Sequence, residues 1–143
     1  MNKAKTKNPE YVKEYEMLPV FIKASNIEAA IRIPKVLGKA GLRVAEATDN
    51  GIMKKEEYLE FIGRNDNKVL QILSKEEHRL WKEFYEHNGW HYGPIRDDYK
   101  KIHNCLVDYD DPLLVEEEKD KDRDQVKKYW DFLDRVGFGI VME

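Results

Sequence analysis

The side chains with which this chain could do chemistry are few: four histidines, one cysteine and two serines among 143 residues. His87 and His91 are four apart, the spacing that sets two metal ligands on one helix face. Asn88-Gly89-Trp90 lies between them, and a glycine there ends a helix, so the pair is expected to be split. A metal needs three or four converging ligands, and none is expected. Cys105 has His103 two residues away but no third group to orient it, so a buried structural thiol is expected. Ser25-Asn26-Ile27-Glu28 and Ser74-Lys75-Glu76-Glu77 both match the capping box of a helix start. Both hydroxyls are therefore expected to cap helices rather than act as nucleophiles. Asp120, Asp122 and Asp124 alternate as at the start of a calcium loop. However, Gln125 stands where that loop needs glycine and Asp131 where it needs a bidentate glutamate. An acidic lead-in to a helix N-terminus is the expectation. With no constellation suited to turnover, the chain is read as non-enzymatic.

What remains is Gly89 to His103. Trp90 and Tyr92 offer flat π faces, and Arg96 carries the planar fork that suits a phosphate or carboxylate. Lys100 and Lys101 add charge. Aromatic plates beside an arginine are what a planar anion such as a nucleotide requires, with stacking contributing about 1–3 kcal/mol per base. The residues alone leave a second reading open. In it Trp90 is core, Arg96 pairs with Asp97 or Asp98, and the lysines are solvated.

The elements that must position this loop follow from periodicity. Pro9 to Tyr15 suits a short helix, and Met17 to Ile22 an apolar stretch crossing the core in extended form. The Ser25 box opens a helix with Ile27, Ala30, Ile31, Pro34 and Leu37 on one face, kinked at Pro34 and ended by Gly38 and Gly41. Leu42 to Ala47 reads as a brief strand, and Asp49-Asn50-Gly51 as a turn. A helix over Met53 to Ile62 breaks at Gly63 to Asn67. Val69 to Leu73 leads into a helix from Lys75 to about His87, with Leu73, Leu80, Trp81 and Phe84 as its stripe. A last helix from near Asp122 carries Val126, Tyr129, Trp130, Leu133 and Val136, stops at Gly137 and gives way to a strand over Phe138 to Met142. Trp81 to Gly89-Trp90 and Trp130 to Gly137-Phe138 echo each other, each a tryptophan helix ended by glycine and an aromatic.

Composition bounds the rest. Hydrophobic residues make up 41% and charged residues 37%, with a net charge of −3. That supports one domain with a real core and shows no basic excess of the kind nucleic-acid binders carry. The single cysteine suits a reducing compartment. Met1 to Asn8 lacks the apolar core of a secretory signal and is expected to be disordered. The longest apolar run, Met17 to Ile22, is too short to cross a bilayer. A cytoplasmic protein without membrane or nucleic-acid partners is expected.

Several pieces together resemble the ryanodine receptor repeat, the Ryr domain. They are Glu77-His78-x-x-Trp81, Gly89-Trp90-x-Tyr92-Gly93, Arg96-Asp97, Lys101-x-His103, Cys105-Leu106-Val107-x-Tyr109 and Glu118-Lys119-x-x-x-Arg123. The likeness covers about Leu73 to Gly137, and Asn26 to Leu42 looks like what precedes the domain in bacterial versions. Asn104 and Asp108 stand where the family usually has prolines, and Asp110 to Glu118 is an unusual linker. The resemblance implies a mainly α domain with a few short strands. Residues 70–137 would be its core and 9–69 a supporting helical segment. It also implies a free-standing bacterial or phage protein with no catalytic activity and no cofactor, sensing a nucleotide-like anion. In that reading Trp90, Tyr92 and Tyr109 stack on the ligand, Arg96, Lys119 and Arg123 hold its charge, and His103 orients the loop. The alternative is a protein-interaction or scaffold module, binding a protein partner or a second copy.

Overall fold

The computed structural model describes the backbone of residues 9–143, and side chains from Leu18 onward. The expected disorder of Met1 to Asn8 lies outside the described residues. The architecture is mainly α with a few short strands. Helices α1 (Pro9–Gly38), α2 (Lys55–His87) and α3 (Glu116–Arg135) pack around one core, and strands β1 (Leu42–Glu46) and β4 (Phe138–Met142) pair antiparallel at its edge. Two further two-residue strands, β2 (His91–Tyr92) and β3 (Ile102–His103), pair in parallel.

The core forms where three helical stripes meet. Ile33, Val36 and Leu37 of α1, Tyr58, Ile62, Leu70 and Leu73 of α2, and Val126, Tyr129 and Leu133 of α3 are all buried there. The Tyr58 hydroxyl donates to the Val126 carbonyl at 2.7 Å, so a buried phenol is satisfied by the neighbouring helix.

Several boundaries differ from the sequence expectation. The segment Met17 to Ile22 is helical, not extended, because α1 runs unbroken through Pro19 and Pro34. Tertiary contact overrides the local proline signal here: the helical path places Phe21 against Phe84, Tyr85 and Trp90. Ser25 consequently sits inside α1 and caps nothing. Ser74 is fully buried inside α2, and its hydroxyl has no partner among the described residues. Glu77, its expected capping partner, turns instead to Arg32 of α1 and Tyr129 of α3. The capping argument about the two serines therefore falls. The cap that does form opens α2, where the Glu57 carboxylate accepts the Lys54 N–H at 2.8 Å.

Helix α3 begins at Glu116, ahead of the expected Asp122. Glu116, Glu117 and Glu118 fill its first turn, where acids meet the partial positive charge of the free N–H groups. The break at Gly63 to Asn67 is present. Arg64 leaves helical geometry, and Asn65, Asp66 and Asn67 follow in the left-handed region, which short polar side chains tolerate best. The glycine corners form too. Gly89 and Gly137 both have φ of +87°, and each hands a helix to a strand.

Candidate functional site

A recess of about 270 Å³ opens between the C-terminal half of α2, the β2–β3 loop and the first turns of α3. Its inner wall is Trp81 and Tyr85, one turn apart on α2, with ring centroids 4.6 Å apart. His103 stands edge-on to both, at 5.1 Å from Trp81 and 5.7 Å from Tyr85. Parallel pairing of Tyr92 with His103 and of His91 with Ile102 holds the imidazole there. That pairing needs Gly93, since a Cβ at this position would lie 2.4 Å from Ile102 Cγ2.

The His103 ring is fixed in one tautomer. Nδ1 accepts the Cys105 backbone N–H at 3.0 Å, so the ring proton resides on Nε2. Burial, assisted by the nearby Arg96 charge, pushes His103 down to about 4. At neutral pH it is therefore an uncharged donor lining the recess. Arg96 sits at the rim. Its Nε donates to Asp98 Oδ1 at 2.8 Å, while its two Nη groups have no protein partner among the described residues. The Asp97 carboxylate accepts the N–H groups of Tyr99 and Lys100 and so shapes the turn that carries Asp98.

The opposite wall comes from α3. Lys121 pairs with Glu118 at 2.9 Å, and Asp122 accepts from His78 Nδ1 at 3.0 Å. His78 Nε2 meets the Val107 carbonyl at 2.8 Å. The Asp122 carboxylate and the Val107 carbonyl, one at each nitrogen, favour the doubly protonated ring. Burial opposes that charge, but the Asp122 carboxylate and the Val107 carbonyl outweigh it and leave His78 above its ordinary value. Burial in turn raises the Asp122 carboxyl, an effect that His78 offsets only in part. Cys105 also lines the recess. Burial, then the Glu118 carboxylate, pushes its thiol up to about 11, so it is a thiol and not a thiolate. His78 directs its second nitrogen to a carbonyl rather than to this sulfur, so the two do not form a nucleophile–base pair.

The seven residues singled out from the sequence separate into four groups. Arg96 and His103 line the recess. Trp90 does not: it is 4% exposed, with Phe21 stacked on it and Tyr85 against it. Its indole belongs to the packing of α1 on α2, with Nε1 unpartnered among the described residues. Tyr92 lies on the outer side of β2 and is partly exposed. Tyr109, Lys119 and Arg123 form a separate cluster. The Arg123 guanidinium donates to the Tyr109 hydroxyl at 3.2 Å and to Asp120 and Glu116, and the Lys119 ammonium lies 5.1 Å from the Tyr109 ring centroid. Tyr109 borders a second, larger groove of about 500 Å³ behind His78. Two parts of the plainer reading are thus present, since Trp90 is core and Arg96 is paired with Asp98.

The recess also contains residues the sequence reading placed elsewhere. Trp81 is expected only in the helix stripe, and the sequence singles out neither Tyr85 nor Lys121. The one available signal was the helical spacing of Trp81 and Tyr85, which sets both on the face leading to the Gly89 corner.

His87 and His91 are exposed and lie on opposite sides of that corner. Among the described residues, no helix is long and apolar enough to cross a membrane. The model of the RyR domain family matches residues 61–142, which takes in α2 from Phe61, the whole recess, α3 and β4. Over more than half its length, then, and with the recess inside the matched span, this chain belongs to the RyR domain family.

Proposed function

We propose that the chain is a non-catalytic ligand-binding module and that the recess takes a small, planar, nucleotide-like anion. The observation that carries this is the unspent donor set around an aromatic wall. His103 Nε2–H and the two Arg96 Nη groups border one space, beside the Lys121 ammonium that Glu118 holds. A charged ligand oxygen there would receive charge-assisted hydrogen bonds, while a ring would pack on Trp81 and Tyr85. At about 270 Å³ the recess sits near the lower bound of ligand pockets. It suits one heterocycle with its adjoining charged group, and a larger nucleotide would overhang the rim. Glu118 and Asp122 on the far wall accept hydrogen bonds, which favours rings bearing amino groups.

The test is a thermal-shift and calorimetry panel of mononucleotides and cyclic dinucleotides. Binding to the native state alone stabilises by about 2.7 kcal/mol at a hundredfold excess over Kd. Arg96→Ala is expected to weaken a positive ligand roughly tenfold or more. No shift with any compound at millimolar concentration would overturn the reading.

A further inference from the structure

Helix α1 is apolar on two faces. One face, with Ile33, Val36 and Leu37, packs into the core. On the opposite face Val20, Ala24, Ile27, Ile31 and Pro34 recur at spacings of four, three, four and three, and all five are exposed. Val20, Ile27 and Ile31 are each more than half exposed, at 57%, 55% and 53%. A stripe repeating every three and four residues is the seam of a two-stranded coiled coil, and it is wider than the scattered apolar residues of an ordinary surface.

We propose that this face pairs with the same face of a second copy of the chain, helix beside helix and parallel. The charges that flank the seam choose the partner and the direction. Lys23 lies on one flank and Glu28 on the other, five residues on, and neither has a partner among the described residues. In a parallel pair that is the spacing across which flanking residues of two helices meet. The symmetric assembly then forms the Lys23–Glu28 contact twice. An antiparallel pair that matches Val20 to Ile31 and Ala24 to Ile27 sets Lys23 against Ala30 instead and forms no such contact. The seam from residue 20 to 34 is only about 21 Å long, so the pair belongs to the small-interface class. Its expected Kd is on the order of 10–100 µM. The recess lies on other elements and remains open in the dimer.

Sedimentation velocity on the full chain, over a concentration series spanning that range, tests this. A monomer–dimer equilibrium is expected, and Ile27→Lys, at an exposed position, should abolish it while leaving the helical circular dichroism unchanged. Lys23→Glu should weaken the dimer roughly threefold to fivefold, and adding Glu28→Lys should restore it. Ala24→Cys should form an interchain disulfide on mild oxidation, because only parallel strands bring that position against itself; Cys105 is buried. A chain that stays monomeric throughout, a dimer that survives Ile27→Lys, or a double charge variant weaker than Lys23→Glu would overturn the proposal.

Discussion

Two polar clusters, one reaching the recess through His78 and Asp122 and the other through His103 and Arg96, treat their hydrogen bonds in opposite ways. On the α2–α3 side, Glu77 receives Arg32 Nε and Nη2 at 3.0 and 2.7 Å together with the Tyr129 hydroxyl, and His78 is bound at both nitrogens. Among the described residues, only Arg32 Nη1 lacks a partner there. On the loop side, His103 uses one nitrogen and Arg96 only Nε. The first cluster is inward-facing and ties three helices together. The second keeps donors in reserve at an opening. The two histidines record the difference: one is pushed above its ordinary value and the other below it, although both line the recess. Burial alone would lower both. What separates them is a carboxylate and a carbonyl at His78 against a backbone N–H at His103.

The largest break in this comparison is Glu77→Ala. It strands the Arg32 guanidinium, whose side chain is 4% exposed, without its carboxylate, and it removes the acceptor for Tyr129. Stranding a buried charge typically costs about 3–5 kcal/mol, which urea denaturation would read as a lower midpoint. A loss under about 1 kcal/mol would mean the pair is more hydrated than its burial implies.

Acidity should separate the clusters next. The folded value of His103 lies below its unfolded value, so the unfolded chain binds the extra proton between about pH 6.5 and 4. Stability should therefore fall across that window as pH drops, by about 2–3 kcal/mol from this group. His103→Asn can still accept the Cys105 N–H but cannot titrate, so the acid slope should become shallower. His78 works the other way. Its folded value is raised, so its contribution is complete below pH 6.5 and is lost as pH rises through the folded value. Asp122→Asn should flatten that alkaline-side loss. Nitrogen chemical shifts of the two rings, followed from pH 8 to 4, check both: His78 should become protonated well before His103.

Much of this arrangement was legible in the residues. The glycine corners at Gly89 and Gly137, the break before Asn67 and the last strand follow from local backbone preferences, which sequence reports directly. The family pieces lay along the chain from Glu77 to Arg123. What was not legible depends on distant partners. Trp81 and Trp90 are chemically identical, yet Trp90 is closed off by Phe21, which reaches it only because α1 continues through Pro19. Once that ring covers Trp90, the wall of the opening passes to Trp81 and Tyr85. Likewise Arg123 and Lys119 had the right charge for an anion, but Glu116, Asp120 and Tyr109 occupy them. A cation's sequence neighbours do not tell which carboxylates fold against it.

The smallest effect on stability, and the sharpest test of the contrast, is expected from Arg96→Ala. The Arg96–Asp98 pair is 51% and 38% exposed at its two side chains, and such pairs contribute about 0–1 kcal/mol. Removing the guanidinium also relieves its repulsion of a His103 proton, so the His103 titration should move upward toward its ordinary value. Stability near neutral pH should change by no more than about 0.5 kcal/mol, while binding of any anion in the recess should fall much further. Glu77→Ala reverses that pattern, since it undermines the frame without touching a reserved donor. If Arg96→Ala instead unfolds the chain as Glu77→Ala does, both clusters are framework, and the donors around Trp81 and Tyr85 are not held for a ligand.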